Sequence, residues 1–159
     1  MGTLPPPESF VKRAIELGAA AAKVISPRDV FTAEWVRRKC QYGCGGYGRR
    51  LTCPPYSPTP QEARRMLDEY EVAIQEIIAQ EREAFLSGYY KAFGMGAGPC
   101  RLCDVCDLEG GCKHPDKARP AMEACGIDVF KTARKAGFPI QVVRDYSCSQ
   151  NYYGLLLLD

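Results

Sequence analysis

A chain of 159 residues, 46% of them hydrophobic and 25% charged, is long enough for one packed core and has the composition of an ordinary globular protein. Residues 1–159 are therefore read as one cysteine-rich unit. Its net charge of +2 makes no case for a nucleic-acid or membrane surface. No apolar run approaches the roughly 20 residues of a membrane span, and the opening residues 1–8 lack the basic and apolar regions of a signal peptide. A cytoplasmic protein is expected, with neither membrane nor nucleic acid among its partners.

The first predicted element is a helix with Phe10, Val11, Ala14 and Ile15 on one face, stopped at Gly18. Ala19 to Ile25 follows as a strand, and 27–39 has no clear period. Thr59-Pro60-Gln61-Glu62 is a capping box with proline at the first helical position. It opens a helix whose Ala63, Met66, Leu67 and Tyr70 fall at helical spacing. Val72 to Ile78 is a strand. Ala84, Phe85, Gly88, Tyr89, Ala92 and Phe93 then predict a third helix running into the second cysteine loop. Pro120 to Cys125 makes a short helix ended by Gly126, and Asp128 caps another that ends at Gly137. Ile140–Val143 and Tyr152–Leu158 are the last strand candidates. Leu155–Leu158 is apolar at every position, the mark of a strand covered on both faces. The class is α+β: a small mixed sheet of about four strands with helices, and two cysteine-rich loops, 40–53 and 98–112, at one end.

Nine cysteines are the outlier. In a reducing compartment thiols this dense are metal ligands rather than disulfides. Cys100-x2-Cys103-x2-Cys106 is the iron–sulfur spacing of bacterial ferredoxins, whose fourth cysteine comes after three further residues and is followed by proline. Here Cys112 comes after five, with Pro115 just beyond. A curled loop brings thiolates three residues apart onto adjacent corners of a cubane, and its amides offset the cluster's negative charge. Structural zinc is the alternative, although zinc sites use two separated ligand pairs.

Cys40-x3-Cys44-x8-Cys53-Pro-Pro is the second constellation. Glycines 43, 45, 46 and 48 let this loop wrap a metal. It supplies three thiolates, so its fourth ligand comes from elsewhere or is absent. Cys112 and Cys125 are the candidates, in either assignment, with Cys148 third. Arg37, Arg38, Lys39, Arg49 and Arg50 flank this loop and suit an anionic cluster or an acidic redox partner. His114, the single histidine, reads as solvent-exposed. Gly94-x-Gly96-x-Gly98 lacks a dinucleotide fingerprint and allows a close backbone approach instead.

Together the segments Cys53-Pro-Pro-Tyr-Ser-Pro, Glu81-Arg-Glu-Ala-Phe-Leu, Gly98-Pro-Cys-Arg-Leu-Cys103, Met122-Glu-Ala-Cys-Gly-Ile-Asp-Val and Asn151-Tyr-Tyr-Gly-Leu-Leu-Leu resemble an uncharacterised prokaryotic family of predicted metal-binding proteins. The resemblance runs from about Phe31 to Asp159. It implies cysteine-bound metal, mostly in anaerobic organisms, and names no substrate or reaction. The expectation from the residues is one or two [4Fe–4S] clusters held by Cys40, Cys44, Cys53, Cys100, Cys103, Cys106, Cys112 and Cys125. Electrons would pass to a redox partner protein. An enzyme with an open iron position and a zinc-stabilised interaction module are the two alternatives.

Overall fold

The computed structural model describes residues 3–76 and 80–159. Ile77 and Ile78, the end of one predicted strand, lie outside the described residues. Four strands form one sheet: β1 (Lys23–Ile25), β2 (Ala73–Glu76), β3 (Phe93–Met95) and β4 (Gly154–Leu157), in the order β1-β2-β4-β3. The α+β class holds. Every pairing is antiparallel, where a mixed sheet was expected, because β4 returns from the far end of the chain to lie between β2 and β3.

Strand alternation divides the core into two layers. Ala73, Leu155 and Leu157 face a layer with Leu67, Met95, Met122 and Ile127. Ile74, Leu156 and Leu158 face the other, with Phe10, Ala84 and Tyr89. Leu155 to Leu158 are all buried, which is why that stretch is apolar at every position. The second layer is roofed by α1 (Pro7–Glu16) and α4 (Glu81–Leu86); Phe10 meets Tyr89 edge-on at 5.6 Å.

The first layer is roofed by α3 (Pro60–Leu67) and α5 (Val129–Ala136). The predicted capping box of α3 is present with both of its hydrogen bonds. Asp128 caps α5, and Gly137 ends it in the left-handed conformation. α2 (Glu34–Gly43) begins within the unassigned stretch and carries Cys40 in its last turn.

Two expectations fail. The helix expected to run through Phe93 ends at Leu86, and Phe93–Met95 is strand β3. Gly88 breaks it, with φ at 112°, and Phe93 and Met95 then find partners on β4. Ile140–Val143 is no strand: four apolar and polar residues suited to a sheet edge have none to pair with there, and they line a surface groove instead.

The segment 120–128 acts as a strap. Gly96 N–H donates to Pro120 O and Met122 N–H to Gly96 O, both at 2.9 Å. Further along, Ala33 N–H donates to Gly126 O at 2.8 Å and Asp128 N–H to Phe31 O at 2.7 Å. The chain entering the first cysteine loop and the chain bounding the second are thus tied to the same nine residues.

Candidate metal centre

Cys40 sits on α2 and Cys44 at its C-terminal cap, where its amide reaches Cys40 O at 3.3 Å. The chain then turns tightly, with Arg49 N–H to Gly46 O at 3.1 Å and Gly48 N–H to Pro54 O at 2.8 Å. Those turns carry Cys53 back toward α2. A Cβ on Gly46 would lie 3.3 Å from Cys53 Sγ and 3.6 Å from Cys44 Sγ, so both sulfurs border the same small space beside this glycine. Burial pushes the Cys40 thiol pKa up, and the neighbouring Cys44 and Cys53 add to it. The same holds for Cys53, raised first by burial and further by Cys44 and Cys100. Cys40, Cys44 and Cys53 therefore lie near one another.

Arg37, placed in the basic flank from sequence, is a structural tie. Its guanidinium donates to Pro55 O and Pro58 O at 3.1 Å and to Ser57 O at 3.3 Å, pinning α2 to the exit of the loop. Ser57 Oγ, buried, donates in turn to Ala124 O at 2.6 Å. Arg38, Lys39 and Arg49 remain exposed.

The second loop gathers Cys100, Cys103, Cys106 and Cys112 around one narrow hollow, closed on its far side by Arg50, Leu51 and Thr52 of the first loop. Leu51 N–H points at Cys106 Sγ, 3.5 Å away, and Arg50 Nη1 donates to Cys103 O at 3.1 Å. Thr52 Oγ1 is buried, and its hydrogen bond with the neighbouring Cys53 lowers that thiol's pKa. His114 is half-buried at the wall of this hollow, not out in solvent as expected. The residues fit an anionic sulfur-ligated group: thiols from one curled loop, an amide aimed at a sulfur, an arginine alongside and a buried hydroxyl. The hollow, about 20 Å³, must widen to admit a cluster. Among the described residues no three His, Cys, Asp or Glu side chains converge tightly enough to hold a single metal ion; the thiols are spread around two spaces.

Cys125, expected among the ligands, sits on the short turn 123–125 that packs against α2, the helix that carries Cys40. It is fully buried in the apolar layer with Met122 and Ile127, and burial pushes its thiol pKa up to about 12. Arg37 and Glu123, rather than another thiol, are the charged groups that bear on it. Cys148 lies on a turn at 145–148, its Sγ 3.7 Å from Asp145 Oδ1.

Several contributors were not legible in the sequence. Gly46 was one glycine among four; Arg50 and Leu51 gave no sign that the first loop would seal the second. Glu123 was unmarked, yet one of its oxygens is buried without a partner, and burial raises its carboxyl pKa. It lies between Cys40, whose Sγ is 4.0 Å from Glu123 O, and an open groove.

An α+β sheet with two thiol-lined loops hung from one strap defines a cysteine-rich metal-binding protein. The sequence model of the predicted metal-binding protein family DUF2284 matches residues 23–75 and 73–158, and the chain belongs to that family. No curated protein and no solved structure matches it. No described helix is long and apolar enough to cross a membrane.

Proposed function

We propose that this protein is a cytoplasmic iron–sulfur protein that transfers electrons to a redox partner. A [4Fe–4S] cluster would be held by Cys100, Cys103, Cys106 and Cys112, and a second by Cys40, Cys44 and Cys53. The observation that carries this reading is the single hollow shared by the four cysteines of one loop, with an N–H aimed at one of the sulfurs. Such a cluster supplies one-electron exchange at a potential tuned by hydrogen bonds, charge and burial. The chain's own part is to fix the thiols, exclude water with Leu51 and Thr52, and set charge with Arg50. Arg38, Lys39 and Arg49, exposed beside the first loop, suit an acidic partner.

The test is the metal content of protein purified without oxygen. Iron and acid-labile sulfide in near-equal amounts, with the broad visible absorption of thiolate-bound iron, are expected. Stoichiometric zinc without sulfide would replace the reading by a zinc-stabilised module.

A second reading is favoured by one feature: the first loop brings together three thiols, not four. Three thiolates leave an iron position free, and an open metal position can bind and polarise a substrate.

A further inference from the structure

A groove of about 530 Å³ opens beside the first loop. That volume is in the range of small-molecule sites. One wall is α2, with Trp35 and Lys39; the other is the extended stretch 140–143 together with 150–153. Cys40 and Cys44 close one end, and Glu123 lies in the lining. These features differ in kind. Trp35, Val129, Phe130, Ile140 and Tyr153 offer an apolar slot wide enough for a ring. Lys39, exposed and making no ion pair among the described residues, stands at the rim with its ammonium 5.2 Å from the centre of the Trp35 ring. Glu123 Oε2 is buried and unpartnered, which leaves a hydrogen-bonding position vacant in a buried place, at a cost a ligand would remove. The thiols at the end are those of the site with three ligands.

We propose that this groove binds a small hydroxy acid with an aromatic or branched apolar body: the body between α2 and residues 140–143, the carboxylate at Lys39, and the hydroxyl toward Glu123 and the Cys40–Cys44 end. The inference rests on the three-thiolate reading of the first site, and it gives that site a class of ligand. A hydroxy acid suits it because the apolar slot alone would accept any hydrocarbon. The cation and the vacant hydrogen-bonding oxygen select for oxygen groups at two separate points. No element seals the slot on its outer side: Val142 and Tyr152 are 65% and 60% exposed, so a ligand has an entrance.

Mandelate is the probe, titrated calorimetrically into the metal-loaded protein without oxygen, with the visible absorption of the iron recorded in parallel. Saturable binding is expected, together with a change in absorption at saturation. Phenylethanediol, which lacks the carboxylate, should bind at least tenfold more weakly, and phenylacetate, which lacks the hydroxyl, several-fold more weakly. Lys39→Gln and Val142→Asp alter exposed side chains, so both should fold and keep their iron. Each should weaken mandelate at least tenfold. The proposal is overturned if none of the three compounds binds saturably, if both variants bind mandelate as tightly as the parent, or if saturation leaves the iron absorption unmoved. Should the protein prove to carry zinc, the iron–sulfur reading fails separately, and the calorimetric comparison of parent and variants still decides the groove.

Discussion

Cys112 and Cys125 are chemically identical, and the fold gives them opposite surroundings. Cys112 is exposed and shares a hollow with three thiols; Cys125 is enclosed by hydrocarbon. Replacing Cys112 with Ala should remove a large part of the iron and sulfide. Cys125→Ala should keep both and cost on the order of 1 kcal/mol of stability through lost packing, read from the urea midpoint. Loss of iron in Cys125→Ala would restore it to the ligand set. The thiol pKa provides a second check. The folded value is raised to about 12, well above the roughly 8.5 of an unfolded thiol. The contribution is therefore fully present below the unfolded value and is lost as pH rises through the folded one. A stability–pH profile of the parent should fall in alkali more steeply than that of Cys125→Ala.

Among the elements, those whose instructions are local were legible in the sequence. Thr59 and Glu62 form their capping box, Asp128 and Gly137 bound α5, and Gly126 ends the short turn at 123–125 in the left-handed conformation. Leu155–Leu158 announced a strand buried on both sides. Elements fixed by distant partners were not legible. α2 buries only Val36 and is held by Arg37 and by the hydrogen bond from Ala33 to Gly126, so no periodic apolar face marked it. β3 is fixed by pairing to β4 some sixty residues away along the chain, whereas its local spacing matched a helix. The thiol sites divide the same way: spacing grouped the cysteines of each loop, and only the fold showed how deeply Cys125 is buried. Gly126 combines local and distant demands. Its φ is 74°, and a Cβ there would stand 2.4 Å from Pro60 Cγ. Gly126→Ala should therefore lower stability by about 3 kcal/mol, the upper end of ordinary single-residue effects. A urea midpoint unchanged from the parent would show that the strap and α3 separate without cost.

At the scale of the whole molecule, the sheet and its two apolar layers are built mainly outside the cysteine loops, and the residues of the second loop are largely exposed. Removing metal should leave the sheet amides protected from hydrogen exchange and release those of 98–112, because metal binding and local folding are one equilibrium; equal protection in both forms would count against that coupling. The two loops are not independent of each other. They share the strap at 120–128, and Arg50 and Leu51 of the first bond directly to Cys103 and Cys106 of the second. Arg50 also lowers the thiol pKa of Cys53, so a single cation serves both sites. An electron added to either cluster increases its negative charge, and a nearby cation favours that state. Arg50→Gln should therefore make reduction harder and lower the measured potential. A shift on the order of 50 mV is expected, equivalent to about 1 kcal/mol of charge interaction near a surface. Clusters this close should also couple magnetically, so the electron paramagnetic resonance spectrum of the fully reduced parent should be broader than the sum of two separate centres. Arg50→Gln should retain that coupling while the potential falls, since Leu51 still spans the loops. An unmoved potential would show that Arg50 only braces the chain, and a spectrum of two independent centres would show that the loops do not bring their clusters together.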